Sequence, residues 1–210
     1  MKKITTLLAM YISISSFSQN DTVINTRIYK SYYSYSIGQP TKVVYKLYKG
    51  GGECNRKNEG FRFHNDTVLK HLTAGTSDYA VSGYDEGHMA NAEDFAGDCT
   101  KEELTFRFYN CIPQTPALNR GIWKANEALL RKISQTDSLL ITCGGVFTTS
   151  SKSVKLGSKL LIPTYCYKIA TSLSTGKLIQ CLLFENNKNP NCSPITLEEL
   201  QLKINKTITK

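Results

Sequence analysis

Histidine is scarce in this chain, with three in 210 residues, and no apolar run approaches the length of a membrane span. A helix needs about 20 apolar residues to cross a bilayer. The longest candidate, Ile4 to Ile14, is shorter and is interrupted by Thr and Ser. No Cys-x-x-Cys pair occurs, which removes zinc-ribbon and thioredoxin-type readings. Internal repeats, low-complexity tracts and linker-like stretches are also missing, so the chain reads as one domain.

The first residues have a different logic. Lys2 and Lys3 precede the apolar stretch, and small residues follow at Ser16 and Ser18. This is the charged, apolar, small-residue order of a secretory signal peptide. Residues 1–18 are expected to be removed, leaving residues 19–210 as a single soluble domain without a membrane anchor, secreted or periplasmic. The remainder carries 24 basic against 17 acidic side chains, an excess of +7. Such a surface suits a polyanion, because Lys and Arg that neutralise phosphates release counterions. All seven cysteines survive processing, and export predicts at least one disulfide, with an odd thiol left over.

Residues 29–35 and Lys42 to Tyr48 have the β-branched and aromatic content of strands, separated by Gly38 and Pro40. The tyrosines there read as half-buried sheet. Leu104 to Tyr109 alternates apolar and polar residues and predicts another strand, broken by Pro113 and Pro116. A helical period follows from Leu118 to about Ser134. Leu139 to Cys143 reads as a strand stopped by Gly144-Gly145, with further strands at Pro163 to Ile169 and Leu178 to Phe184. Thr196 and Glu199 form a capping box before a C-terminal helix. Strands outnumber helices without βαβ alternation, which predicts an α+β fold on a mostly antiparallel central sheet flanked by helices.

Among the histidines, His64 and His71 sit in polar surroundings and read as surface residues. His88 follows Gly87, which permits close backbone approach, and lies near Asp85 and Glu86, acids able to orient an imidazole. Asn119, Trp123 and Glu127 recur at i, i+4 and i+8, along one ridge if a helix starts near Asn119. An amide oxygen and a carboxylate on that ridge suit Mg²⁺, which keeps most of its waters. Asn119 reads equally well as a helix cap, Trp123 as core and Lys124 as a solvated helix face.

The segment Asp85-Glu86-Gly87-His88-Met89, the run Pro113-Gln-x-Pro-x-Leu-Asn-Arg-Gly-x-Trp123, and Ile162-Pro163-Thr164 before a strand ending in Lys168 together resemble the DNA/RNA non-specific endonucleases. This is the ββα-metal family of secreted bacterial nucleases and endonuclease G. The resemblance implies a two-stranded unit followed by a helix, with His88 as general base, Asn119 as Mg²⁺ ligand (Mn²⁺ as an alternative) and Glu127 holding a water of that metal. It also implies phosphate contacts from Arg120 and, by a looser match, Arg56, with Lys124 one turn along the same basic face. DNA and RNA are the implied substrates, and an inhibitor protein would be the partner expected of a toxin role. Glu86 departs from the pattern, since the family carries Arg there; it puts a like charge where a phosphate clamp is expected. The alternatives are a catalytically weakened nucleic-acid-binding member of the same fold and a disulfide-braced surface binding protein.

Overall fold

The computed structural model describes residues 21–66 and 74–206; the expected signal peptide and His71 lie outside them. The elements in chain order are β1 (Asp21–Asn25), β2 (Tyr29–Ser34), β3 (Gln39–Leu47), α1 (Arg56–Glu59), α2 (Thr76–Tyr79), β4 (Asp85–His88), α3 (Cys99–Glu103), β5 (Cys111–Gln114), α4 (Lys124–Ser134), β6 (Leu139–Val146), β7 (Tyr165–Ser172), β8 (Leu178–Glu185), β9 (Cys192–Pro194) and α5 (Leu197–Asn205). Seven strands form one sheet in the order β1-β2-β3-β6-β7-β8-β9, every pairing antiparallel. β4 and β5 pair separately with each other, also antiparallel. This is the α+β architecture expected. No described helix is long and apolar enough to cross a membrane.

Alternation along the strands sends successive side chains to opposite faces of the large sheet. On β7, Cys166 and Ala170 join the main core with Trp123, Leu130 and Ile112, under α4 and the β4–β5 pair. Tyr167 and Ile169 join a second core with Leu183 and with Leu200 of α5. Both faces of the central strands are therefore covered, and their apolar runs are nearly continuous. The tyrosines of β2 and β3 behave as expected of sheet residues: Tyr29, Tyr33 and Tyr45 are buried.

Several boundaries differ from the sequence reading. Residues 104–109 do not form a strand. Phe108–Asn110 make a short 3₁₀ turn, and the strand is β5 one step later. Thr105 and Phe106 donate their N–H groups back to Glu102 and Glu103, while the Arg107 side chain bonds both Glu103 and Asp66. The apolar alternation was real, since Phe106 and Phe108 are buried, but they are buried by a turn. Pro113 lies inside β5, and Pro40 inside β3 beside a register shift; a missing N–H is tolerated at such places. Gly144 and Gly145 continue β6 instead of stopping it, because the backbone at Gly144 runs against Thr41 and Tyr167 where a side chain has no room. β7 likewise runs past Lys168 to Ser172. The capping box of Thr196 and Glu199 is present at the start of α5.

Cys54 and Cys99 form a disulfide that joins the loop before α1 to the first turn of α3. Cys111, Cys143, Cys166 and Cys181 are buried thiols and Cys192 is exposed.

A buried polar chain ties α4 to the sheet. Lys168 is 0% exposed, its Nζ donates to Glu127 Oε1 at 3.0 Å, and it stands 3.8 Å over the Trp123 ring. Glu127 Oε2 also accepts from Asn91, Arg131 donates to Asn91 and Asp94, and Tyr45 donates to Asp94. Lys168→Met leaves Glu127 buried without its cation and is expected to cost about 3–5 kcal/mol. Removing both charges in Lys168→Met/Glu127→Leu should restore most of that. Urea unfolding of the parent and both variants measures this; equal losses in the single and double variants would refute the ion-pair account.

Candidate active site

β4 carries the first part of the site. Its pairing sets Asp85 opposite Gln114, Gly87 opposite Ile112 and His88 opposite Cys111. Gly87 has the role expected of it: the Gln114 side chain lies across its Cα, where a Cβ would collide. Alternation puts Glu86 and His88 on one face of the strand. The His88 ring is packed by Phe63, with centroids 4.5 Å apart, and edge-on by Phe106 at 4.8 Å. Its Nε2 is sealed from solvent without a hydrogen-bond partner. Burial first, and then the Arg56 charge, push the imidazole pKa down to about 3. His88 is therefore neutral at physiological pH, with burial and the Arg56 charge opposing its protonation.

The neighbouring acids do not orient His88. Asp85 instead accepts from Asn119 Nδ2 at 2.9 Å and from Arg120 Nε and Nη2 at 2.8 and 2.7 Å. Burial alone would raise the Asp85 carboxyl, but the hydrogen bonds from Arg120 and Asn119 outweigh it and hold the group below the usual carboxylate range. An ionised carboxylate only accepts, so it fixes which end of the Asn119 amide faces it. The NH₂ turns to Asp85, and Oδ1, the atom able to bind a hard cation, is left for another ligand.

Asn119 is not on a regular helix. Residues 118–123 form a wide turn in which Gly121 has φ −103° and ψ −115°, and α4 starts only at Lys124. The expected ridge of Asn119, Trp123 and Glu127 is thereby broken. Asn119 and Arg120 turn toward β4, whereas Trp123 and Glu127 (4% exposed) point into the core. Burial pushes the Glu127 carboxyl up, against the opposing charge of Lys168. Lys124 is exposed on the first turn of α4.

Asp85, Glu86, Asn119 and Arg120 line one cavity of about 460 Å³ with Thr76, Tyr79, Ala80 and Tyr84. Burial, and then the charge of Asp85, raise the Glu86 carboxyl. Arg56 approaches the site from α1, paired with Glu93 at 3.0 Å and with the buried Glu102 at 3.8 Å. Among the described residues no hydrogen bond links His88 to Asn119 or Glu127. His88 and Asp85 are three residues apart on β4, or about 10 Å along the strand. The structure thus gathers Glu86, Asn119 and Arg120 around Asp85, sets His88 further along β4 in the field of Arg56, and sends Glu127 inward. Histidine 64 is exposed and bonds Arg62, as a surface residue does.

The family model for DNA/RNA non-specific endonucleases matches residues 9–208. The chain belongs to that family. It is 27% identical to bovine (Bos taurus) mitochondrial endonuclease G over 163 residues, 73% of this chain and 54% of the relative. A nuclease of Nostoc is 28% identical over 144 residues, covering 68% of this chain and 52% of the relative. The chain spans about half the length of these relatives. Its fold is that of endonuclease G in the crystal structure of the EndoG/EndoGI complex, at a TM-score of 0.75 with 21% identity, covering 92% of this chain and 89% of the other. The two strands and following helix that characterise the endonuclease family are β4, β5 and α4.

Sequence reasoning missed the partners. Asp85 was visible only as a neighbour of His88, and nothing local pairs it with Asn119. Lys168 did carry a signal, since a lysine within Tyr-Cys-Tyr-Lys-Ile-Ala on a central strand demands a buried counter-charge. The site predicts that His88 stays neutral from pH 8 to pH 5, where a solvent-exposed histidine is mostly protonated. Imidazole ¹⁵N chemical shifts across that range test this; a midpoint near 6.5 would overturn the sealed-ring account.

Proposed function

We propose that this endonuclease-family chain is an exported, Mg²⁺-dependent enzyme that hydrolyses phosphodiester bonds in DNA and RNA with little sequence preference. The observation carrying this reading is the Asp85-anchored Asn119 amide, held with its oxygen free in a cavity that also presents Glu86 and Arg120. The donors suit the metal: an amide oxygen and carboxylates without thiolate or imidazole are the set preferred by Mg²⁺, with Mn²⁺ as the alternative. Asn119 would hold the ion directly. The expected role of Glu127 in holding a water of that ion comes from the resemblance; here its carboxylate is buried, accepting from Asn91 and Lys168, and does not line the cavity. When bound, the cation supplies charge neutralisation at the phosphate.

The remaining work falls to side chains. His88 takes the proton of the attacking water, the role that the family resemblance implies for it. Arg120 and Arg56 offer guanidinium groups to the phosphate, and both are pre-held by carboxylates, Asp85 in one case and Glu93 with Glu102 in the other. Arg120 is 72% exposed while Asp85 is 16% exposed, so the guanidinium reaches the surface from an anchored carboxylate. Lys124 extends the basic face beyond Arg120. Contacts to phosphate carry no base information, which gives the sequence tolerance. The Cys54–Cys99 disulfide supports export to an oxidising compartment. An inhibitor protein is the expected partner by analogy with the EndoG/EndoGI complex.

Purified protein should cut both plasmid DNA and RNA in Mg²⁺ and stop in excess chelator, and His88→Ala should lose about 10²- to 10⁴-fold in turnover. Cleavage that persists in chelator would remove the metal, and unimpaired His88→Ala would remove the base. Binding of DNA without cleavage by the parent would favour the weakened-member alternative, to which Glu86 lends some support.

Glu86 lines the cavity, so its charge faces the incoming phosphate. Glu86→Arg is expected to raise kcat/KM, most at low ionic strength where screening is least, with a smaller rise for Glu86→Gln. A fall for both substitutions would instead make Glu86 a working part of the site.

A further inference from the structure

A second cleft opens beside the first and shares Tyr84 with it. Its volume is about 330 Å³, and its wall includes Ser150, Ser151, Lys152, Thr164 and Asn187. We infer that this cleft is a subsite for the flank of the nucleic-acid strand, taking phosphodiester oxygens on Lys152 and the hydroxyls while a base stacks on Tyr84. The inference rests on the nuclease reading and extends it to how the strand is held away from the bond that is cut.

Three observations converge. The first is the contrast in charge. The first cavity presents Asp85 and Glu86 beside Arg120, whereas the second offers the Lys152 ammonium and a row of hydroxyl and amide groups beside a single carboxylate. Its one carboxylate, Glu185, already accepts from Asn187 Nδ2 at 3.0 Å. Thr148, Ser150 and Thr164 form a connected hydroxyl set at 2.8 and 3.1 Å, whose protons can rotate toward an anion.

The second observation is a common rigid floor. The buried Asn186 side chain donates to Pro113 O and Pro163 O and accepts from Thr115 N, while Thr115 Oγ1 donates to Asn187 O. The wall of the second cleft is therefore bonded to the segment that leads to Asn119. A strand lying across Tyr84 would be held in fixed register with the metal ligand.

The third is the loop between β6 and β7. It supplies Lys152 to the second cleft, and it is fastened to α2, part of the first cavity's wall, by Lys155 to Ser77 O and Ser158 to Asp78. Lys155 and Lys159 on that loop, and Lys188 beside Asn187, are exposed. A positively charged groove combined with an aromatic platform is how proteins track a single strand without reading its sequence.

Binding of fluorescein-labelled oligothymidylates of increasing length to the full-length His88→Ala protein, followed by anisotropy over a range of salt, tests the subsite. Affinity should rise with length in the parent. Lys152→Ala should cancel most of that gain and lower the salt slope by about 0.7, the contribution of one phosphate on a single strand. Tyr84→Ala should weaken binding of the longer strands roughly tenfold, with Tyr84→Phe restoring it because the ring is what stacks. Lys30→Ala, on an exposed position of β2, serves as the control. Length dependence and salt slope unchanged in Lys152→Ala and Tyr84→Ala would overturn the subsite while leaving the nuclease reading intact. Failure of the parent to bind any oligonucleotide would overturn both.

Discussion

The Lys168–Glu127 pair is the constraint on which the rest of the molecule depends. An ammonium on the inner face of a central strand is tolerable only with a partner inside the protein, and α4 provides it. Trp123 lays its ring under the same ammonium, so the wide turn before α4 is seated by the pair as well. Through Asn91, Arg131, Asp94 and Tyr45 the network reaches the segment after β4 and the body of β3. The elements that carry His88 and Asn119 are thus both referenced to one buried charge. Such a pair contributes little net stability over an apolar substitute. Its contribution is a single relative placement of helix and strand.

With that frame fixed, the site is governed by competition for carboxylates. Asp85 holds Asn119 and Arg120 together, and Glu93 and Glu102 hold Arg56, so the cationic groups are kept in set positions. Glu86 adds a carboxylate that no arginine or lysine pairs with among the described residues, which makes the cavity more acidic than the family pattern implies. The neutral, desolvated His88 sits on β4, whereas Asn119 and Arg120 share the turn before α4 and Arg56 lies on α1.

Local chemistry was readable wherever it depended on neighbours in the chain. The capping box of α5, the sheet tyrosines of β2 and β3, and the close approach permitted at Gly87 all follow from side-chain period or from backbone sterics, which act over a few residues. Where the reading failed, a distant partner had intervened. Phe106 and Phe108 are buried as their alternation requires, yet Arg107 reaching Asp66 and Glu103 makes a turn of what reads as a strand. Pro113 and Gly144 look like breakers, but Pro113 lies in a strand that pairs with β4 alone, and Gly144 sits where Thr41 and Tyr167 leave no room for a Cβ.

The sequence by itself determined the family, the α+β class and which residues make up the shared motifs, because ordered motifs and hydrophobic periods are properties of the chain. Tertiary structure alone decided what those residues touch. Gly121 breaks the ridge that spacing gave to Asn119 and Glu127, sending one to Asp85 and the other to Lys168. No periodicity encodes that split, since it results from two charges, 34 and 41 residues away along the chain, each requiring a partner in space.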